Sequence, residues 1–219
     1  MESKQKLTEL AYKHIFDGLL YGKYRPGISL NIDVIADNLK MSKTPIREAL
    51  LELEGEGLII RNGRYYHVFS PSRKEILDLY EVRRILEGEA AGMAAVSPSS
   101  ELITSLKEVI LRIETLSKEG DPDPITFADL SGKFHSLICQ GSGNELLLKI
   151  TTDIRLRLKI VRVTSFTSFN RRIDDLVEHK AVLKAIIEKN SILARELMVD
   201  HQNKVIEYIK RELIMQFYD

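Results

Sequence analysis

Three histidines in the second half of the chain have the residue type and spacing of a metal site. They are His135, His179 and His201, and each lies within a stretch of helical periodicity. His179 and His201 stand eleven residues before and after Asn190, so a helical hairpin with its tip at Asn190 would bring them to one level, about 16 Å up each helix. Neutral imidazole binds zinc, nickel, copper and iron, although an inward histidine is often only a hydrogen-bonded core residue. The pattern therefore predicts either a divalent metal site, for zinc or nickel, or a histidine-containing core.

A second set of residues, near the N-terminus, has the types that contact nucleic acid. Ser42, Lys43, Thr44 and Arg47 fall in the first turn and a half of a predicted helix, the part of a recognition helix that meets bases and phosphates. Arg47 suits bidentate hydrogen bonding to guanine, whereas the hydroxyls and the helix N-terminus suit phosphate oxygens. The alternative is that these cations are only the solvated side of an amphipathic helix.

A predicted β-hairpin adds more cations. Two short apolar segments bracket Asn62-Gly63, a strong signal for a tight turn. Arg61 and Arg64 flank the tip, where they could reach a minor groove or the phosphate backbone, and Gly63 allows close approach of the main chain.

Three predicted helices position these residues. Asn31 suits the N-cap of the second helix, and Met41 is nearly the whole connection to the third, which makes the pair a helix-turn-helix. With the hairpin as a wing, residues 1–72 are predicted to be a winged helix-turn-helix DNA-binding domain. The three stretches with helical periodicity are 7–19, 32–39 and 42–54.

From Arg73 onward the apolar residues keep a period near 3.6, which predicts a C-terminal all-α antiparallel helical bundle over residues 73–219. The fold class is therefore mainly α. One of the predicted breaks between helices is Gly120-Asp121-Pro122. The predicted helices cover residues 73–96, 101–118, 124–141, 144–167, 171–189 and 191–215.

The composition is that of an ordinary globular protein, with 44% apolar and 29% charged residues. No run of about 18 apolar residues predicts a membrane span, and the polar N-terminus does not resemble a secretory signal, so we expect a cytoplasmic protein. The single Cys139 excludes an internal disulfide and a cysteine-based zinc cluster. The net charge of zero indicates by itself neither nucleic acid nor membrane as a partner.

The motifs of the first 70 residues resemble the DNA-binding module of GntR-family transcription regulators. This resemblance implies a homodimer that binds a short inverted repeat of double-stranded DNA. It also implies that positions 42, 43, 44 and 47 and the wing at Gly63 carry the contacts. The matching stretches are 22–27 (GKYRPG), 35–36 (IA), 42–50 (SKTPIREAL) and 53–59 (LEGEGLI).

The second part of the chain resembles the helical effector-binding domain called FCD, in its VanR-like six-helix form. The resemblance implies that residues 73–219 dimerise and bind a small-molecule effector. It further implies that the three histidines, with an aspartate four residues before the first, hold a divalent metal whose shell a small carboxylate completes. The matching stretches are 80–87 (YEVRRILE), 134–135 (FH), 143–144 (GN), 178–179 (EH) and His201.

The sequence departs from that pattern at the aspartate. Ser131 stands four residues before His135, and Asp129, six before it, lies about 120° round the helix axis from His135. From the residues alone a site of three histidines remains, with an open position for water or ligand.

We therefore expect a ligand-responsive transcription regulator, and not an enzyme, whose effector is a small carboxylate. Arg83 is the first candidate for an effector contact, with Arg155 and Arg157 as weaker candidates and Ser131 as a further one, although a surface ion pair explains each arginine at least as well.

Two alternatives remain open: a DNA-binding protein whose bundle only dimerises, and a metal-dependent hydrolase built on the three histidines. The hydrolase lacks a placed general base, because there is no His-Glu-x-x-His motif and Glu178 is predicted to point off the face that carries His179.

Overall fold

A computed structural model describes residues 2–118, 124–159, 161 and 169–213 of the chain. The chain divides into two compact units, Met1–Pro71 and Ser72–Asp219. The predicted break at 120–122 and the C-terminal parts of two predicted helices, from residue 162 and from residue 214, lie outside the described residues. Within the described ranges, no helix combines the length and apolar composition needed to span a membrane.

The first unit has the predicted order of three helices and a hairpin, with one additional short strand. This strand, β1, pairs antiparallel with the last strand through Ser29 and His67, so the sheet order is β1-β3-β2. The sequence does not predict β1, because two residues are too few to show a period of two. The elements are α1 Glu2–Leu20, β1 Ser29–Leu30, α2 Ile32–Leu39, α3 Lys43–Gly55, β2 Ile59–Asn62 and β3 Tyr65–Val68.

The core of this unit lies mainly between α1 and α3. Ala11 and Ile15 of α1 and Ile46 and Leu50 of α3 are fully buried, as their helical spacing predicts. Asn31 caps α2 as predicted, because its side-chain oxygen accepts hydrogen bonds from the next turn of backbone N–H groups. Burying one side of α3 directs its other side to the surface.

The hairpin closes one residue later than the Asn-Gly pair suggests. Asn62 pairs with Tyr65, which leaves Gly63 and Arg64 as the two residues of the turn. Gly63 has φ of 61° and Arg64 does not have a positive φ, which matches a type II′ turn with glycine at its first central position. The predicted wing is confirmed, and its tip presents an arginine.

The second unit is an antiparallel bundle, and the predicted fold class is confirmed. In the described part of this unit, six α-helices start within two residues of their predicted positions. The first is fixed by a capping box between Ser72 and Glu75. The elements are α4 Arg73–Val96, α5 Ser100–Lys118, α6 Pro124–Gly141, α7 Glu145–Arg157, α8 Phe169–Ile187, α9 Ser191–Tyr208 and a π-helical turn Ile209–Leu213.

Two glycines let α9 approach α4 closely. A Cβ atom on Gly88 would lie 2.6 Å from a methyl carbon of Val199, and one on Gly92 would lie 3.3 Å from the backbone oxygen of Ser191. The approach allows Gln202 of α9 to donate a 2.7 Å hydrogen bond to Glu87 of α4. These two helices thereby form one wall of a polar interior.

Candidate DNA interface and candidate metal centre

The predicted recognition residues lie on the exposed side of α3. Ser42, Lys43, Thr44 and Arg47 are all exposed, whereas the intervening Pro45 and Ile46 are buried. The Ser42 side chain makes no capping hydrogen bond, although Ser42 occupies the N-cap position. The N-terminal turn of α3 therefore offers a hydroxyl and two cations on one surface, as direct readout of DNA requires.

The cations of this surface are held by weak, exposed contacts. Lys43 Nζ lies 2.8 Å from Asp33 Oδ1, with both side chains more than half exposed. On the wing, Arg61 donates to the carbonyl oxygen of Gly63, and Arg64 donates to the hydroxyl of Tyr65. Exposed pairs of this kind are worth about 1 kcal/mol or less, so a phosphate can replace them at little cost.

The three predicted histidines converge in the interior of the second unit. His135 of α6, His179 of α8 and His201 of α9 are at most 1% exposed, and their ring centroids lie 4.8 to 5.0 Å apart. The Nε2 atoms of His135 and His179 are 3.1 Å apart. Asn190 caps α9 and forms the tip of the hairpin, as predicted. One donor atom from each ring lies within 4.8 Å of the other two, so small movements of the rings would bring all three donors to the distances that one metal ion requires.

A carboxylate lies behind each ring, on the Nδ1 side. Glu87 Oε2 is 2.8 Å from Nδ1 of His135, and Glu178 Oε2 is 2.6 Å from Nδ1 of His201. The third carboxylate, Asp175, places Oδ2 3.4 Å from Nδ1 of His179. A carboxylate behind an imidazole fixes the ring and directs its Nε2 lone pair inward, as in carboxylate–histidine–zinc triads.

Glu178 was predicted to point off the face that carries His179, and it does so, but it still reaches the site. Adjacent residues on a helix diverge by about 100°, so Glu178 does leave the face that carries His179. That direction leads to α9, where Glu178 meets His201 and Arg171. Its role is thus to orient a ring of the neighbouring helix.

Buried arginines balance these carboxylates. Arg83 Nε lies 2.9 Å from Glu87 Oε1, with side chains 2% and 1% exposed, and Arg171 contacts both Asp175 and Glu178. Burial by itself would raise the pKa of Glu87, but Arg83 and His135 outweigh it and hold that pKa well below its ordinary value. The carboxylates therefore stay charged in the interior.

Burial favours the neutral form of two of the imidazoles. Loss of solvation lowers the pKa of His179 to about 3 and the pKa of His135 well below its ordinary value, although Asp175 and Glu87 oppose the shift. Phe134 stacks on the His179 ring at 4.2 Å between centroids and keeps that face dry. Neutral imidazoles are the form that binds metal ions.

The other predicted site residues take different positions. Asp129 lies on the surface, with Lys159 3.1 Å away, whereas Ser131 is 3% exposed and Arg83 lies in the buried ion pair with Glu87. Arg155 donates hydrogen bonds to Ser136 Oγ and to the carbonyl of Gly132. Arg157 is exposed.

Arg155 also lines an open groove of about 400 Å³ between α6 and α7. Lys133 and Lys159 lie beside it, so three cations face one acidic side chain, Asp129, in this groove.

The sequence analysis did not single out Glu87 and Asp175 as carboxylates of the centre. It also did not show that Glu178 meets His201 of the neighbouring helix. Glu87 stands four residues after Arg83, and Asp175 stands four before His179, so both pairs share a helix face. The i,i+4 spacing was visible in the sequence. The sequence did not show which of its many i,i+4 pairs is buried.

Known proteins match the chain in both parts. The family model described as the FCD domain matches residues 78–204, more than half of the chain, and the model described as bacterial regulatory proteins, gntR family, matches residues 7–65. The uncharacterized HTH-type transcriptional regulator YdhC of Bacillus subtilis (strain 168) is 26% identical over 205 residues, 92% of this chain and 90% of YdhC. The gluconate operon transcriptional repressor of Bacillus licheniformis is 28% identical over 198 residues, 84% of this chain and 76% of the repressor.

The fold also matches a solved structure, that of McbR/YncC from E. coli. The TM-score is 0.75 at 20% identity, and the match covers 97% of this chain and 99% of the other. The exposed helix-turn-helix with its wing, the histidine-containing bundle and both family matches agree: the chain belongs to the GntR family of transcription regulators and carries an FCD domain.

Proposed function

We propose that this protein is a metal-dependent, metabolite-responsive regulator that binds an inverted repeat of double-stranded DNA as a homodimer. The N-terminal turn of α3 and the wing contact the DNA. The bundle holds a divalent metal through His135, His179 and His201, and a small carboxylate bound there changes the affinity for DNA. Such control requires that the carboxylate bind the DNA-competent and incompetent arrangements with different affinity.

The convergence of the three rings carries the proposal. With Glu87 2.8 Å from Nδ1 of His135, the inward nitrogen of that ring offers a lone pair, and the Nε2 atom of His179 lies only 3.1 Å from it. Two acceptor atoms at that distance repel each other in a dry interior unless a cation or proton lies between them. A divalent ion satisfies both atoms, and their spacing suits donors at about 2.0–2.1 Å from zinc.

The donor set and its surroundings fit such an ion. Three neutral imidazoles suit zinc or nickel, and the carboxylates behind them supply the outer contacts that metal-binding histidines usually have. When bound, the ion would offer its remaining coordination positions to water or to a carboxylate oxygen. The residues of the chain position the ligands and exclude bulk water.

The charge of the nearby groove supports an acidic effector. Lys133, Arg155 and Lys159 line it, and Arg155 is held in place by Ser136 and Gly132. One relative regulates a gluconate operon, and gluconate is a small carboxylate. We therefore place the effector class among small carboxylates and name Arg155 as a cationic contact on its way to the metal, because none of the three histidines lines this groove.

An apolar stripe on α4 supports the homodimer. Val82, Ile85, Met93 and Val96 are 44, 57, 41 and 67% exposed, and their spacing puts them on one side of the helix. Exposed large apolar residues that line up in this way mark a surface suited to a second copy.

The test begins with the purified full chain after removal of metal by a chelator. Zn²⁺ or Ni²⁺ should raise its stability, by about 2.7 kcal/mol at 100 times the dissociation constant. Duplexes selected by the protein from a randomised pool then serve as the operator, and gluconate and other small carboxylates are added with and without metal. At least one carboxylate should change the affinity for the selected duplex only when metal is present.

His179→Ala should abolish both the metal-induced stabilisation and the carboxylate response. The matched control is His14→Ala, which removes a histidine of α1 and should leave both unchanged. A chain that selects DNA but gains nothing from metal or carboxylates would support a bundle that only dimerises. Carboxylate-ester or amide hydrolysis that depends on metal and on His179 would favour the hydrolase.

A further inference from the structure

Ser131 and Asp175 occupy corresponding positions on two helices of the centre. Ser131 stands four residues before His135 on α6, and Asp175 stands four before His179 on α8. Residues at this spacing share a helix face, so both side chains reach the site beside a metal-binding ring. Both are buried, at 3% and 2% exposed. One helix thus offers a hydroxyl where the other offers a carboxylate.

Asp175 differs from the other two carboxylates in the edge of the rings that it meets. Glu87 and Glu178 approach Nδ1 of their partner rings at 2.8 and 2.6 Å, on the side away from the centre. Asp175 is 3.4 Å from Nδ1 of His179, and its Oδ1 is 4.0 Å from Nε2 of His201. Asp175 therefore has Oδ1 toward the inner nitrogen of His201. Its Oδ2 lies behind the His179 ring, at a longer distance than the other two carboxylates keep from their rings.

One oxygen of Asp175 is unsatisfied. Arg171 lies 3.3 Å from Oδ1, whereas Oδ2 is buried and has no hydrogen-bond partner among the described residues. A buried carboxylate oxygen without a hydrogen bond is costly, and a rotation of the carboxylate toward a cation held by the imidazoles would remove that cost.

We propose that Asp175 is the fourth protein ligand of the metal, in place of a carboxylate that α6 does not supply at position 131. This inference rests on the proposed histidine metal site. Two donors of one tetrahedral zinc ion lie about 3.3 Å apart, and Asp175 Oδ1 is 4.0 Å from His201 Nε2, so the carboxylate has to move toward the three rings when the ion binds. The three imidazoles and one carboxylate leave the site with one net positive charge. An ion with five or six ligands keeps positions for a carboxylate effector.

Metal affinity of the full chain, measured for Zn²⁺ by competition with a chromophoric chelator, tests this assignment. Asp175→Asn should weaken Zn²⁺ binding more than about 100-fold, beyond the 10- to 100-fold that loss of an outer contact costs. Glu178→Gln is the matched control, because it removes a carboxylate behind a ring and should stay within that smaller range. Substitution of Co²⁺ gives a second readout, since the visible absorption should change for Asp175→Asn and stay the same for Glu178→Gln.

The double variant Ser131→Asp with Asp175→Asn separates a ligand from a structural role. It returns a carboxylate to the centre from α6, and it should regain at least tenfold in Zn²⁺ affinity over Asp175→Asn. If Asp175 is a ligand, Ser131→Asp should help mainly in the Asp175→Asn background, so an absence of recovery there, or an equal gain in the parent chain, overturns the assignment. So does Asp175→Asn binding Zn²⁺ within threefold of the parent chain.

Failure of the two proposals can be told apart. A parent chain that does not bind Zn²⁺ overturns the histidine site and this inference with it. A parent chain that binds Zn²⁺ through His179 but is indifferent to position 175 overturns only the inference.

Discussion

The proposed DNA-binding surface and the proposed metal centre use the same charged residue types in opposite ways. On α3, Lys43 pairs with Asp33 while 53% and 66% of their side chains remain in solvent. In the bundle, Arg83 pairs with Glu87 at nearly the same distance, with 2% and 1% exposed. Water screens the first pair, so it can be exchanged for a phosphate; the second pair has lost its water and must stay complete.

This difference in solvent exposure matches what the two proposed sites have to do. A surface that binds DNA has to release its internal partners when phosphates arrive, and weak exposed pairs allow this. A buried centre has to hold its donors in place before the ligand enters, and ion pairs with hydrogen bonds such as that from Gln202 to Glu87 hold them. Substitutions in the buried pair should therefore cost more free energy than substitutions in the exposed pair.

Arg83→Met should have the largest effect, since it leaves Glu87 charged and buried without its main cation. Loss of one partner of a buried pair costs about 3–5 kcal/mol of unfolding free energy. Urea denaturation followed by circular dichroism measures it. Arg84→Met is the control, one residue along α4 with a longer contact to Asn203, and it should cost less than about 1 kcal/mol. Equal losses in the two variants would remove the distinction between the fully buried and the half-buried arginine.

Arg47→Ala should cost about 1–3 kcal/mol of binding free energy on the selected duplex and blur its base preference. Its stability should change little, because the side chain is exposed. Fluorescence anisotropy on the selected and on scrambled duplexes gives both numbers. Arg112→Ala, an exposed arginine of α5, is the control and should bind as the parent does. Unchanged affinity of Arg47→Ala would rule out docking through this face of α3.

Asp33→Asn should have the smallest effect on stability, less than about 1 kcal/mol, because its pair with Lys43 is exposed. It should nevertheless raise the affinity for DNA at low salt, since Lys43 loses its competing partner and a negative charge leaves the surface. The gain should shrink as salt rises. A titration at several salt concentrations checks this, and a loss of affinity would mean that Asp33 itself contacts the DNA or holds Lys43 in its binding position.

Most of the fold was predictable from the sequence because its signals are local. Period 3.6, the Asn31 cap, the turn at Gly63 and the short connection around Met41, which is three residues long in the structure, each depend on neighbours along the chain. The exception, β1, depends on pairing with a strand nearly forty residues away. The two-residue strand has no local pattern that distinguishes it from a loop.

The candidate centre divides in the same way. The sequence by itself placed three histidines on helices and put His179 and His201 at one level of a hairpin, because their equal distances from Asn190 follow from the rise of a helix. Only the tertiary structure decided which carboxylates meet them, since Glu87, Glu178 and Asp175 look like ordinary helix charges until α4, α8 and α9 pack together. Helix rotation and the close approach at Gly88 and Gly92 set those contacts, and both arise from packing between distant segments.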